Sequence, residues 1–145
     1  MLKPGDSAPE FKVKSHRGTD VSLSDFKGKN VILYFYPKAD TPGCTAQGCG
    51  FRDKFVDYEK KNTVVLGVSF DTVAENAAFA QKFKFPFLLL CDTSHDIGMA
   101  YGAVKTKEDK YPSRIGYVID PQGRIKSAHA KVDAASFPQT VLNEV

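Results

Sequence analysis

The sequence predicts an α/β fold in which helices flank a central mixed β-sheet. Two short, almost wholly apolar runs, 31–36 and 64–70, have the length and the β-branched content of buried strands. Two segments with apolar residues at helical spacing, 42–60 and 73–83, follow those runs. Near the C-terminus, two further strand-like runs flank Pro121-Gln122-Gly123, a sequence typical of a tight turn. Strands that alternate with helices and end in a hairpin indicate helices packed on a mixed sheet.

The N-terminal part of the chain is predicted to form a small hairpin followed by a buried strand. The two arms of the hairpin are Phe11–Val13 and Thr19–Leu23, on either side of the polar turn Ser15-His16-Arg17-Gly18. The apolar run Val31–Tyr36 is the buried strand, and the first long helix follows it.

That helix is predicted to begin at Pro42 and to run to about Lys60. Thr41 supplies a hydroxyl at the N-cap, and proline fits the first helical position because no amide hydrogen is needed there. Apolar residues recur at i, i+4, i+7, i+11 and i+14, which is one face of a helix: Cys44, Gly48, Phe51, Phe55 and Tyr58. Cys44 is therefore expected in the first turn, facing the core.

The C-terminal half continues the alternation of strands and helices. The predicted strands are Val64–Phe70, Phe87–Leu90, Ile115–Asp120 and Arg124–Ala130. The predicted helices are Val73–Phe83, which ends before Pro86, and Ala134–Val145, which Pro138 interrupts or starts. The polar segment Lys105–Ser113 is predicted to be a loop.

The composition is that of one ordinary globular domain, predicted to span residues 1–145. Hydrophobic residues make up 42% and charged residues 26% of the chain, and the net charge is +3. No cluster of lysine and arginine with interleaved aromatics occurs, so nucleic acid is not an expected partner. No apolar run approaches the roughly 20 residues that cross a bilayer, and no signal sequence is recognisable. The expected location is the cytoplasm, or an organelle that holds a mature form without its leader.

Two cysteines near the start of the first long helix are the strongest candidates for chemistry. The first-turn amides and the positive end of the helix dipole favour the thiolate of Cys44 over the thiol. Cys49 is expected about 140° further around the helix, with its Cα about 8.6 Å away. A disulfide requires Cα atoms within about 7 Å, so the helix must unwind before the two can bond, and Gly48 weakens it there. A redox pair is the favoured interpretation; a static disulfide and two unrelated buried cysteines are the alternatives.

The third cysteine and the histidines are predicted to be structural. Cys91 follows an apolar run, so it is expected to end a buried strand and to pack as a small hydrophobic residue. A role as a second thiol that traps oxidised Cys44 is the alternative. His16, His95 and His129 have no cysteine or histidine at metal-ligand spacing, so no metal site is expected.

The segment Phe35–Thr45, together with Cys49 and Phe51-Arg52-Asp53, is a specific motif. It resembles the peroxiredoxin Q group, also called the bacterioferritin comigratory protein group. The likeness covers nearly the whole chain, through the segments Gly5–Phe11, Leu23–Lys29, Val64–Ser69 and Arg114–Asp120. The resemblance implies a thioredoxin-like fold of the peroxiredoxin type. It also implies a thiol peroxidase that reduces hydrogen peroxide and organic hydroperoxides without a metal or an organic cofactor.

Transferred by position, the resemblance gives each residue at the helix start an expected role. Cys44 is the expected peroxidatic cysteine, which attacks the peroxide, and Cys49 is the expected resolving cysteine, which then forms the disulfide. Thr41 is expected to hydrogen-bond the peroxide through its hydroxyl. Pro42 and Gly43 are expected to border the substrate, with the proline shielding the thiolate from water.

Arg114 is expected to approach this site from a later strand. Its guanidinium stays charged and offers several donors in one plane, which suits it to the oxygen on which charge develops. Two positions depart from the usual pattern of the group, because Gly116 replaces a frequent threonine and Gln47 replaces a frequent glutamate. The first change leaves the local support of Arg114 open, and the second alters how the first turn is held.

The implied cycle uses a hydroperoxide and a dithiol protein, thioredoxin or a similar reductant. A monomer is expected because both cysteines lie in one chain.

Two other functions stand as hypotheses. One is a dithiol–disulfide oxidoreductase on the same fold, although the chain lacks the Cys-x-x-Cys motif and the tryptophan usual in such proteins. The other is a non-enzymatic redox switch or holdase that exposes apolar surface when the helix unwinds.

Overall fold

The strands form two sheets in the structure, a computed structural model that describes residues 1–145. The smaller sheet is an antiparallel hairpin of β1 (Lys12–Lys14) and β2 (Asp20–Ser22). The larger sheet contains the other five strands: β3 (Asn30–Phe35), β4 (Thr63–Ser69), β5 (Leu88–Cys91), β6 (Gly116–Ile119) and β7 (Ile125–His129). Its order is β5-β4-β3-β6-β7, with β5, β4 and β3 parallel and β6 antiparallel to both β3 and β7. The predicted mixed sheet is thus confirmed, and each predicted strand is correct to within one residue at either end.

Helices pack on both faces of the larger sheet. They are a 3₁₀ helix (Leu23–Phe26), α1 (Pro42–Asp53), α2 (Phe55–Lys60), α3 (Val73–Phe83), α4 (Asp96–Ala100) and α5 (Phe137–Leu142). Successive residues of β3 point to opposite faces. Leu33 and Phe35 lie in the hydrophobic cluster that includes α4 and the small hairpin. Ile32 and Tyr34 lie in the cluster that includes α1, α3 and α5.

The prediction of one helix over 42–60 is wrong at Lys54, which divides it into α1 and α2. Lys54 has φ −106° and ψ 9°, and its amide donates to carbonyls of the preceding turn, so the α-helical bonds stop there. After this bend Tyr58 is fully buried, and its hydroxyl donates to the carbonyl of Pro138 at 2.5 Å. Apolar periodicity continues through the bend, which is why the sequence pattern does not reveal it.

The short helices differ most from the sequence-based prediction. The predicted helix Ala134–Val145 is confined to α5, with Pro138 in its first turn. The helix α4 was not predicted, because its five residues are too few to show a period. The buried carboxylate of Asp92 accepts hydrogen bonds from the amides of Ile97 and Gly98 at 3.1 and 2.8 Å and so caps α4. None of the helices is long and apolar enough to cross a membrane.

Candidate active site

Cys44 lies at the start of α1, close to the point where the chain leaves β3. The strand ends at Phe35, and the loop 37–41 leads to Pro42, the first residue of the helix. Cys44 is the third residue of α1 and is only 2% exposed. Amides in a first helical turn have no acceptor within the helix, and the side chain of Thr41 does not cap them. The positive end of the helix dipole is therefore available to the sulfur.

Arg114 reaches Cys44 because β6 runs antiparallel to β3. This pairing places the residues before β6 next to the end of β3 from which α1 starts. Arg114 lies two residues before β6, and its Nη2 donates to the Sγ of Cys44 at 3.3 Å. Gly43 leaves room for this contact, because a Cβ at that position would lie 3.0 Å from the same Nη2. Two residues 70 positions apart in the sequence are thus in direct contact.

A second bond from the same guanidinium goes to Gln47, one turn further along α1. The Nη1 of Arg114 donates to the Oε1 of Gln47 at 2.7 Å. The side chain of Gln47 is completely buried, and its Nε2 has no hydrogen-bond partner. Arg114 is therefore bonded to α1 at two points, one of which is the sulfur.

Thr41 occupies the predicted N-cap position, but its side chain does not act as a cap. Its hydroxyl instead donates to the carbonyl of Lys38 at 2.7 Å. The prediction that this hydroxyl caps the helix is therefore wrong. The hydroxyl hydrogen of Thr41 is used in the bond to this carbonyl. The hydroxyl oxygen still has lone pairs that can accept a hydrogen bond. Pro42 is the exposed residue next to it, at the outer surface of the first turn.

Groups that follow the neighbouring strand β4 hold the loop before α1. Asp71 is 6% exposed, and its Oδ2 accepts from the amide of Ala39 at 2.8 Å. Its Oδ1 lies 3.4 Å from the Nζ of Lys38, and this carboxylate raises the pKa of that lysine. The hydroxyl of Tyr36 donates to the Oδ1 of Asn76 at 2.6 Å, in the buried interior. These supports were not predicted, although a polar residue just beyond a parallel strand is a recognisable signal.

Tyr34 is another titratable group close to the two cysteines. Its buried ring stacks on that of Phe51 in α1, with the ring centres 4.7 Å apart. Burial raises the pKa of Tyr34, the nearby Cys44 and Cys49 raise it further, and Arg114 lowers it. The phenol is therefore neutral at physiological pH, and the charge beside the sulfur comes from Arg114.

Cys49 lies on the same helix as Cys44 and is partly exposed. All three cysteines of the chain are free thiols. A Cβ at Gly48 would lie 2.4 Å from the Cζ of Phe85, so the glycine is required for the close packing of α1 on that ring. Gly48 therefore has a packing function in addition to its effect on helix stability.

Cys91 ends β5, as predicted, and is 4% exposed. The Nδ2 of Asn76 donates to its Sγ at 3.4 Å. Burial raises the pKa of the Cys91 thiol. A buried thiol with a raised pKa is a poor nucleophile, so this environment favours a packing role.

The glycine at position 116 is explained by the packing of α5. A Cβ there would lie 2.3 Å from the Cζ of Phe137, so the aromatic ring occupies the place of a side chain. Arg114 is supported instead by Gln47 and by a bond from the amide of Val132 to its carbonyl at 3.3 Å.

The histidines lie apart, and each has a local partner. His16 Nδ1 accepts from the amide of Leu89 at 3.0 Å. The ring of His95 stacks on Phe70, and His129 lies 3.0 Å from the carboxylate of Glu144. No group of three or more His, Cys, Asp or Glu side chains is arranged as a metal site would require.

The sequence matches a known family over most of its length. The profile of the AhpC/TSA family matches residues 4–128. A putative peroxiredoxin Bcp of Coxiella burnetii is 43% identical over 136 residues, which are 90% of this chain and 90% of that protein. The chloroplastic peroxiredoxin Q of Triticum aestivum is 43% identical over 125 residues, which are 86% of this chain and 58% of that longer protein.

Solved structures of the same group superpose closely on this fold. A cysteine-to-serine mutant of PrxQ from Xylella fastidiosa has a TM-score of 0.93 and 30% identity, and the match covers 99% of this chain and 95% of that one. The bacterioferritin comigratory protein of Xanthomonas campestris, described with its alkyl peroxide reduction activity, has a TM-score of 0.87 and 28% identity over 92% and 88% of the two chains. The chain therefore belongs to the AhpC/TSA family and, within it, to the peroxiredoxin Q or Bcp group with its thioredoxin-like fold.

Proposed function

We propose that this chain is a peroxiredoxin that reduces hydrogen peroxide and organic hydroperoxides through the thiolate of Cys44. The observation that supports this most directly is the 3.3 Å contact from Nη2 of Arg114 to the Sγ of Cys44. A guanidinium beside a thiol at a helix start supplies positive charge where both the thiolate and the departing oxygen are negative. The relatives in the same group carry the name peroxiredoxin, and the Xanthomonas protein is described with alkyl peroxide reduction.

In the first step, the thiolate of Cys44 attacks one oxygen of the hydroperoxide. A sulfur–oxygen bond forms while the O–O bond breaks, so the sulfur is oxidised to a sulfenic acid. The departing oxygen takes up a proton and leaves as water or an alcohol. Arg114 donates to that oxygen, and the lone pairs of Thr41 accept from the hydroxyl of the peroxide. Pro42 and Gly43 border the peroxide, and the sulfur itself supplies both electrons without a metal or an organic cofactor.

In the second step, the sulfur of Cys49 attacks the sulfenic sulfur of Cys44, a disulfide forms and water leaves. Both residues lie within α1, five positions apart. A regular helix holds them too far apart for this bond. The turns between them therefore unwind before the disulfide forms.

In the third step, a dithiol protein reduces the disulfide by exchange. Thioredoxin or a similar protein has the required chemistry. Since the resolving thiol is in the same chain, the cycle needs no second subunit, and we expect a monomer that works as one domain over residues 1–145. The cycle also requires a compartment with a supply of reducing thiols, such as the cytoplasm or an organelle.

Mass spectrometry of the intact protein tests this cycle. The reduced protein receives one equivalent of hydrogen peroxide or of tert-butyl hydroperoxide, and a thiol alkylator quenches samples at successive short times. We expect two thiols to disappear together, as a disulfide that peptide mapping assigns to Cys44 and Cys49. A Cys49→Ser variant should instead keep one oxygen on Cys44. A Cys91→Ser variant is the matched control and should behave as the parent protein does.

The proposal fails if all three thiols survive at the rate of free cysteine. A disulfide exchange activity or a redox switch would then be the better hypothesis. An oxygen adduct that persists on Cys44 while Cys49 remains alkylatable would contradict the resolving role alone.

A further inference from the structure

The side chain of Gln47 stands out because it is buried next to a charged group and is only half satisfied. It is 0% exposed, and its Oε1 receives the Nη1 of Arg114 at 2.7 Å. Its Nε2 has no hydrogen-bond partner. A buried donor without a partner is unfavourable, and a carboxylate of the same size would have no such donor.

The amide leaves the positive charge of Arg114 without a carboxylate partner. None of the seven ion pairs in the structure includes Arg114. The phenol of Tyr34, which lies close to both cysteines, is neutral and brings no negative charge to the sulfur. The guanidinium therefore has no carboxylate partner, and its Nη2 contacts the sulfur. A carboxylate at position 47 would neutralise that charge and draw the guanidinium towards itself.

Gln47 also lies between the two cysteines, in the part of α1 that unwinds for the disulfide. The bond between Arg114 and Gln47 must break when residues 44–49 leave the helix. Breaking the bond between a neutral amide and a guanidinium costs a moderate free energy. Separating a carboxylate from the guanidinium would cost more, because the charge of Arg114 would lose its partner. The same amide therefore affects the step that precedes disulfide formation.

We propose that Gln47 is the positioning residue of Arg114, and that its uncharged amide favours both thiol steps of the cycle. It orients the guanidinium towards Cys44 while leaving its charge uncompensated, and it releases the guanidinium readily when α1 unwinds. This inference rests on the proposed function of Cys44 and Cys49. The chemical character of one buried side chain then affects both the oxidation of Cys44 and the formation of the disulfide.

The test compares the parent protein with Gln47→Glu, which keeps the shape and adds a charge, and with Gln47→Met, which keeps the length and removes the acceptor. Three quantities are measured: the pH profile of Cys44 alkylation by iodoacetamide, the rate of oxidation by hydrogen peroxide, and the rate at which the sulfenic form becomes a disulfide. Circular dichroism of the reduced proteins establishes that each variant is folded.

For Gln47→Glu we expect the midpoint of the alkylation profile to rise by about one pH unit. We also expect disulfide formation to slow by at least about threefold, with more sulfinic acid on Cys44 at high peroxide. For Gln47→Met we expect slower oxidation of Cys44 but a disulfide that forms at least as fast as in the parent protein. If Gln47 acted only through packing, neither variant would shift the pH profile of Cys44 alkylation, and the two variants would not differ in their rates of disulfide formation.

The proposal is overturned if Gln47→Glu has the alkylation midpoint or the disulfide rate of the parent protein. It is also overturned if Gln47→Met slows disulfide formation as much as Gln47→Glu does. Failure of the proposed function would be recognised separately, because the parent protein would then form no disulfide between Cys44 and Cys49.

Discussion

The reactivity that we propose for Cys44 depends on a small number of atoms placed around its sulfur. An ordinary thiol is a few per cent ionised at pH 7, so complete ionisation alone accelerates its reaction by roughly 30-fold at most. Larger accelerations require donors fixed where the departing oxygen becomes negative. Arg114 is positioned for both effects, since one nitrogen contacts the sulfur and another is held by Gln47.

A methyl group at position 43 tests the importance of that placement. The added Cβ of Gly43→Ala would lie 3.0 Å from Nη2 of Arg114, so the guanidinium must move by a few tenths of an ångström. We expect the rate constant for oxidation by hydrogen peroxide to fall roughly 3- to 10-fold, because catalysis is sensitive to such displacements. The rate is measured by rapid quench and mass spectrometry.

Arg114→Lys provides the control for this substitution, because lysine lacks the Nη2 that the methyl group displaces. In that background Gly43→Ala should have little further effect, which a double-mutant cycle measures. Equal losses in both backgrounds would show that the methyl group acts through the helix and not through Arg114.

At the scale of the element, the end of α1 is firmly packed, whereas the proposed cycle requires its start to unwind. Phe51 is 0% exposed, and its ring contacts those of Tyr34, Tyr58, Phe87 and Phe137. Cys49 lies two residues before this anchor and is partly exposed. We infer that unwinding is confined to the first turns, ahead of Phe51. Local opening of this kind needs far less free energy than unfolding of the whole protein.

A glycine placed between the cysteines should make that opening easier. Ala46 is exposed in α1, so Ala46→Gly removes no packing and weakens the helix by about 1 kcal/mol. The unwound population then increases by about fivefold, and disulfide formation after oxidation should accelerate by up to that factor. Rapid quench followed by peptide mapping measures the rate.

Ala78→Gly is the matched control, because Ala78 is exposed in α3 and loses the same helix propensity. It should lower the thermal stability by a similar amount and leave the disulfide rate unchanged. If the two variants alter the rate equally, unwinding of α1 does not limit the disulfide.

At the scale of the whole molecule, the sheet topology explains why the site lies where it does. The parallel strands β3 and β4 both end on the side from which α1 starts, and Asp71 follows β4 there. The antiparallel strand β6 begins on the same side and so delivers Arg114. The candidate site thus lies where the ends of three strands meet. Cys44 follows β3, Asp71 follows β4 and Arg114 precedes β6.

The small hairpin of β1 and β2 is joined to the edge strand β5, and we expect this junction to make the stability dependent on pH. Ser15 forms a bridge to Leu90, and His16 Nδ1 accepts from the amide of Leu89 at 3.0 Å. Burial, followed by the charge of Arg17, lowers the pKa of His16 below its ordinary value of 6.5. The folded protein therefore holds this imidazole neutral at a pH where the unfolded chain already binds the proton.

The free energy of unfolding should consequently decrease as the pH falls below 6.5, until the folded protein also binds the proton. Urea unfolding between pH 7.5 and pH 5 measures the decrease. His16→Asn keeps an acceptor for the amide of Leu89 but cannot titrate, so the free energy of unfolding of this variant should decrease less. If the free energies of both proteins fall in parallel with pH, His16 is not the cause of the pH dependence.

The sequence by itself determined the type and order of almost all elements, the position of Cys44 in a first helical turn and the likeness to the peroxiredoxin Q group. The elements and the place of Cys44 are encoded locally, because periodicity and the proline at the helix start depend on residues within a few turns of one another. Only the tertiary structure decided how the buried amide of Gln47 pairs with Arg114, why a glycine stands opposite Phe137, and where Lys54 bends the helix. The pairing of β3 with β6 brings Arg114 to Gln47, the packing of α5 brings Phe137 to Gly116, and Tyr58 bonds to Pro138 beyond the bend. No local pattern records such long-range contacts.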